Sequence, residues 1–194
     1  MKALAASFAL LAASCASTAD TIPDSRIGLH AGYRGLDGED WGPVDDQGAA
    51  GLEFVHEAPG STVGLEAAVF ASEKTEDDVF VLPAAIADFR GRALELSFGL
   101  HKDLAVRYEG VHPYFGGGLS LLRVELRGEQ AGLEDEEDGD SAGLYLHGGV
   151  EFDLSPALFL GVDLRVRGGT DVDLLGEDRS TSYGQVSFVL GVRF

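Results

Sequence analysis

From residue 26 onward, apolar and polar residues alternate through most of this chain. A period of two marks a strand with one apolar and one polar face. Eight such stretches are predicted. In the first, 26–36, Ile27, Leu29, Ala31 and Tyr33 oppose Arg26, Gly28, His30, Gly32 and Arg34. The second, 47–57, sets Ala50, Leu52 and Phe54 against Gly51, Glu53 and Glu57, with His56 on the apolar side near its end. The third, 62–72, sets Val63, Leu65, Ala67 and Val69 against Gly64, Glu66 and Ala68. In the fourth, 91–101, Leu94, Leu96, Phe98 and Leu100 oppose Glu95, Ser97, Gly99 and His101.

The fifth stretch, 111–127, is less regular. Its upper half places Leu122, Val124 and Leu126 on the apolar face and Arg123, Glu125 and Arg127 on the polar one. Its lower half puts Phe115, Leu119 and Leu121 on the arginine side. The sixth, 143–154, sets Leu144, Leu146, Val150 and Phe152 against Tyr145, His147, Glu151 and Asp153. In the seventh, 157–168, Leu158 to Val166 oppose Phe159, Asp163, Arg165 and Arg167. The eighth, 183–194, carries Val186, Phe188, Leu190, Val192 and Phe194 on one face. Strands of this length suit a tilted crossing of a bilayer.

Connections alternate in length. After strands two and six they are tight turns, Ala58-Pro59-Gly60-Ser61 and Leu154-Ser155-Pro156-Ala157, and after strand four a modest segment up to Gly110. After strands one, three, five and seven they are long: 37–46, 73–90, 128–142 and 169–181. The apolar run 79–90 contains Pro83, so it is read as structure within the second loop or an early extension of strand four; a ten-strand barrel is the alternative. The pattern predicts an all-β, eight-stranded antiparallel up-and-down barrel with short turns at one rim and four long loops at the other.

The 194 residues suffice for one domain. Residues 1–19 read as a secretory signal, with Lys2, an apolar run from Ala3 to Ala13, and small residues before a cut after Ala19. The barrel domain then spans 20–194. Ala12-Ala13-Ser14-Cys15 resembles a weak lipobox that would lipidate Cys15 instead; with the ordinary cut, the mature chain has no cysteine. No apolar run long enough for a membrane helix follows.

Charge sharpens the topology. The net charge is −19, and the four long loops hold 21 acids against three bases, Lys74, Arg90 and Arg179. On the polar strand faces the balance is close: Arg26, Arg34, Arg123, Arg127, Arg165, Arg167 and Arg193 face Glu53, Glu57, Glu66, Glu95, Glu125, Glu151, Asp153 and Asp163. Mixed charge on one face suits a closed interior in which each charge needs a partner, and arginine can serve two carboxylates at once. The competing arrangement is a soluble lipocalin-like barrel, apolar inside. The glycine-rich charged face, the confinement of excess charge to loops, and a chain that ends on an apolar-face Phe194 favour the membrane form.

On these residues the chain resembles the OmpA-type and OmpX-type small outer-membrane barrels. The alternating last strand ending in Phe194, the run His112-Pro113-Tyr114-Phe115-Gly116-Gly117-Gly118-Leu119 and the Ser155-Pro156 turn carry the resemblance. It implies an outer-membrane location, periplasmic termini and recognition of the Phe194 strand by the barrel-assembly machinery. It departs from the larger members in that no peptidoglycan-binding domain follows Phe194.

Candidate chemistry is sparse. No His-x-Ser pair of the lipid A deacylase kind and no Gly-x-Ser-x-Gly occurs. His30, His101 and His147 fall on the inward face and are expected to partner carboxylates in the core. Glu134-Asp135-Glu136-Glu137-Asp138-Gly139-Asp140 lacks EF-hand spacing and is expected to be a solvated, mobile acidic loop; Asp171 and Asp173 are a weaker cluster. Trp41 and Tyr33 at the loop rim, and Tyr114 and Tyr108 toward the other, read as interface aromatics, with Trp41 also suited to a partner. No residue is assigned to catalysis, a cofactor or a metal. The expectation is a monomeric outer-membrane barrel with a packed polar lumen and a structural or surface role. Its partners would be outer-membrane lipid and lipopolysaccharide, bridged by divalent cations, and not nucleic acid, which acidic loops repel. The alternatives are a lipid-modifying barrel enzyme and a narrow pore or conduit for small hydrophobic molecules, hinted at by Phe115, Leu119 and Leu121.

Overall fold

Alternation at a period of two builds a barrel only if each strand finds two partners, and here every wall strand does. The computed structural model describes residues 25–36, 38–58, 61, 63–81, 85–105, 108–130, 133–174 and 177–194. The expected leader, Cys15 and Pro83 lie outside them. The elements are β1 (Ser25–Leu36), α1 (Gly38–Trp41), β2 (Asp46–Glu57), β3 (Val63–Val81), β4 (Ala85–Asp103), β5 (Val111–Gln130), β6 (Leu133–Asp153), β7 (Leu158–Gly169), β8 (Val172–Leu174), β9 (Glu177–Arg179) and β10 (Tyr183–Arg193). Strands β1 to β7 pair antiparallel in sequence order, and β10 joins β7 to β1 to close an eight-stranded barrel. At the seam Leu36 faces Tyr183 and Arg26 faces Arg193, and Ser25 and Phe194 exchange backbone hydrogen bonds of 3.2 and 2.9 Å. Closure leaves no free edge in the wall. The small β8–β9 hairpin lies in the fourth loop.

Burial decides inside from outside. Leu146 and Phe188 are 66% and 70% exposed, whereas Arg34 and Glu95 are fully buried. The apolar face therefore points outward and the charged face inward, the reverse of a lipocalin. Among the described residues no helix is long and apolar enough to cross a membrane.

Three expectations need correction. Residues 73–90 and 128–142 are not long loops: β3 pairs with β4 as far as Val81 opposite Ala85, and β5 with β6 as far as Gln130 opposite Leu133. A register shift between Glu76 and Val79 accommodates the first extension. The acidic run tolerates the second because adjacent residues of a strand face opposite sides, and Asp138 and Glu136 meet Arg123 and Arg127 of β5. So residues 79–81 extend β3 and 85–90 extend β4, the latter as the strand-four reading held, without adding wall strands.

The second correction concerns β5. Its pairing to β6 runs without a shift from Val111 opposite Phe152 to the hairpin tip, so one phase holds throughout. Phe115, Leu119 and Leu121 are exposed on the same outer face as Arg123, while Leu122, Val124 and Leu126 are buried inside. Arg123, Glu125 and Arg127 thus leave the interior list, and the hydrophobic hint of a conduit lies on the outer wall.

The third is Trp41, which is 1% exposed. It packs with Leu36, Val44, Ala93, Leu122, Val124, Leu126, Val172 and Tyr183 in an apolar plug at the loop end. Its indole N–H donates to the Ser180 carbonyl at 2.6 Å, and Ser180 N–H donates to Asp40 Oδ2 at 2.8 Å, fastening α1 to the fourth loop. Tyr114 is also buried, whereas Tyr33 and Tyr108 are exposed as expected of interface aromatics.

Candidate functional site: the barrel lumen

Below the apolar plug the lumen is polar, and its groups come from every wall strand because alternate residues of each point inward. The upper polar layer centres on Glu95 of β4. Arg34 Nη2 donates to its Oε2 at 2.9 Å, Arg165 Nη2 approaches its Oε1 at 3.5 Å, and the Tyr183 hydroxyl donates to Oε2. Arg34 Nε also donates to Gln185 Oε1 at 2.9 Å, and Arg165 Nη2 to Ser97 Oγ at 2.8 Å. The Arg165 guanidinium lies 3.9 Å from the Tyr145 ring centroid, a cation–π contact. Among the described residues Arg167 is held without a carboxylate, by Ser120 Oγ at 2.6 Å and the Thr181 carbonyl at 2.9 Å.

The lower layer, toward the turn end, is rich in carboxylates and imidazoles. Glu66 comes from β3, His101 from β4 and His147 from β6. His147 Nε2 is 2.9 Å from Glu66 Oε2, and its Nδ1 is 2.9 Å from Asp163 Oδ2. His101 Nδ1 is 3.3 Å from the same Glu66 oxygen, and its Nε2 is 3.1 Å from Asp103 Oδ1. Tyr145 donates to the other Glu66 oxygen, and Tyr114 to Asp163 Oδ2 at 2.9 Å. Gly116 makes the space: it sits between His101 and His147 in the ladder, and a Cβ there would fall 2.2 Å from His147 Nε2 and 2.7 Å from Glu66 Oε2. Arg26 and Arg193 close the layer below, Arg26 near Asp103 (3.2 Å) and Glu151 (3.5 Å), and Arg193 on Glu151 at 2.5 Å.

His101 and His147 therefore partner carboxylates as the inward phase implies. His30 does not: among the described residues neither of its ring nitrogens has a hydrogen-bond partner, and it lies edge-on to Phe70 at 5.2 Å. The convergence of Glu66, His101 and His147 was not read from the sequence. Their inward phase was visible, and the glycine run around Gly116 was the one further clue. Outside the barrel, Ser25 Oγ and His56 Nδ1 are 2.8 Å apart at the turn end. Among the described residues no carboxylate hydrogen-bonds that imidazole, so the orienting member of a nucleophile–base set is missing.

A closed eight-stranded barrel with an apolar exterior and a charged, filled interior is the architecture of small outer-membrane β-barrels. Solved structures of that class share the fold. The chain matches Neisserial surface protein A with TM-score 0.55 at 14% identity, over 88% of this chain and 96% of that one. It matches Ail, the attachment invasion locus protein of Yersinia pestis, in complex with the heparin analogue sucrose octasulfate, with TM-score 0.56 at 14% identity, over 88% and 96%. OprG from Pseudomonas aeruginosa matches with TM-score 0.56 at 15% identity, over 89% and 97%. No family model and no curated protein sequence matches the chain.

Proposed function

We propose that this protein is a non-conducting outer-membrane barrel that presents two extended acidic hairpins, β3–β4 and β5–β6, at the cell surface, with a structural or surface-interaction role and no catalysis. The observation that carries this reading is the filled lumen. Arg34, Glu95, Arg165, His101 and Tyr145 are at most 1% exposed, so side chains fill the lumen at their layers, and Trp41 plugs the loop end above them. An eight-stranded barrel has interior room for side chains and little else.

The hairpins carry the outward function. Arg123 and Arg127 bind Asp138 and Glu136 on their outer wall, and the acidic composition of the hairpins suits divalent cations that would bridge to lipopolysaccharide phosphates. The sulfated ligand of the Yersinia barrel is a polyanion, and a chain of net charge −19 does not suit that ligand class without a cation between. The lipid-facing β10 strand with Phe194 would serve assembly.

Reconstitution of the purified protein into planar bilayers tests the reading. No stepwise conductance is expected; reproducible channel steps would replace it with a pore.

A further inference from the structure

We propose that Glu66, His101 and His147 form a binding site for a transition-metal dication of the zinc class, which staples β3, β4 and β6 inside the barrel. Glu66 Oε2, His147 Nε2 and His101 Nδ1 lie within 4.8 Å of one another and are buried. The two contacts to Glu66 Oε2, 2.9 and 3.3 Å, lie somewhat below and at the separation of about 3.3 Å between neighbouring ligands of a tetrahedral zinc ion with bonds of about 2.0–2.1 Å. Two imidazoles and a carboxylate are a donor set suited to zinc.

What surrounds these three groups argues for a metal more than the groups themselves do. Metal-binding histidines commonly hand their second ring N–H to a carboxylate, which fixes the tautomer and turns the other lone pair toward the ion. His147 is placed to do so, with Nδ1 bonded to Asp163, and His101 Nε2 lies 3.1 Å from Asp103. Arg26 Nη2, which can only donate, also contacts that His101 nitrogen and pairs with Asp103. With its proton on the Asp163 side, His147 Nε2 presents a lone pair to the Glu66 carboxylate oxygen 2.9 Å away, and the two repel unless a proton or a cation stands between them. Among the described residues His101 Nδ1 is buried with no geometrically sound hydrogen bond, only the 3.3 Å approach to Glu66 Oε2. Tyr145 orients the Glu66 carboxylate from its far side. Gly116 keeps the volume clear where any side chain would strike both His147 Nε2 and Glu66 Oε2. The local charge asks for the same thing: Glu53 Oε2 and Asp163 Oδ1 are also buried without a hydrogen-bond donor. A proton on each histidine could stand in for the metal, and the experiment separates the two.

The full chain, purified from membranes in detergent and treated with chelator, is titrated with Co²⁺ and then Zn²⁺. The expected result is one Co²⁺ per chain with the intense visible bands of a four-coordinate nitrogen–oxygen site, displaced by one Zn²⁺. His101→Gln and His147→Gln abolish the bands, Gly116→Ala removes them by filling the cradle, and Asp163→Asn weakens zinc affinity about 10–100-fold. Heat-dependent mobility in SDS verifies that each variant is folded. If a variant fails that check, X-ray absorption of the zinc-loaded natural protein decides: two imidazoles in the shell support the site, and an all-oxygen shell overturns it. Absence of stoichiometric binding, or bands unchanged in folded histidine variants, also overturns it and leaves a protonated imidazole pair in the lumen.

Discussion

Around Glu95, two arginines and a tyrosine hydroxyl converge on one carboxylate, while Arg167 nearby is held by hydroxyls and carbonyls. Lower in the same lumen the proportions invert. Arg26 and Arg193 are the arginines there, set among Glu53, Glu57, Glu66, Asp103, Glu151, Asp153 and Asp163, and the deficit of fixed positive charge falls to His101 and His147. The upper layer uses cations that cannot be switched off, each arginine forking between partners. The lower layer uses groups whose charge depends on a proton or a metal. The upper layer thus acts as a permanent lock, and the lower one takes its strength from what occupies it.

The sharpest break of that comparison removes the anion at each centre. Glu95→Ala strands Arg34 and Arg165 in a site that water does not reach, at a cost of about 3–5 kcal/mol. Glu66→Ala should cost less in metal-free protein, because the two imidazoles can release their protons and become neutral. Urea unfolding in detergent, followed by the fluorescence of Trp41, the one tryptophan, measures both. Equal losses would mean that the two layers do not differ in the way argued.

The barrel and its sidedness were largely legible in the sequence, because a strand with one face in lipid and one in a closed lumen must alternate. Reading failed where the wall rises above that environment. The upper part of β5 faces water outside and an apolar plug inside, so Leu122 and Arg123 exchange the sides that a lipid-facing strand would give them. The acidic stretch 133–140 resembled a loop because its composition is poor for strands, yet ladder bonds to β5 and the arginines on it hold it. Trp41 sits among Asp, Gly and Pro residues that mark a connection, and nothing local says that the connection folds inward. The Glu66–His101–His147 cluster depends on the relative register of β3 to β6, which alternation within single strands does not encode.

The plug gives a second, somewhat smaller test. Trp41 is an apolar anchor above the upper layer, tied by one indole hydrogen bond. Trp41→Ala opens a cavity among Leu122, Val124 and Leu126 and should cost about 3 kcal/mol, read as a lower urea midpoint by circular dichroism. Because the Glu95 layer holds itself together below, barrel closure should survive, with heat-modifiable mobility retained. A variant that lost the mobility shift altogether would show that the plug, and not the arginine layer, keeps the upper barrel shut.

The smallest effect is expected outside the wall. Arg123 and Asp138 make a contact of 2.5 Å, shorter than any arginine–carboxylate distance given above for the Glu95 layer, yet their side chains are 59% and 52% exposed. Water and salt screen such a pair, and holding two long side chains in register costs entropy, so Arg123→Ala should change stability by about 0.2–1 kcal/mol. It should vanish into the error of the measurement in high salt, while the Glu95→Ala loss stays nearly constant. If Arg123→Ala instead approached the Glu95 variant, the acidic hairpin would be part of the barrel's stabilising core, and its charges would not be free for the cell surface.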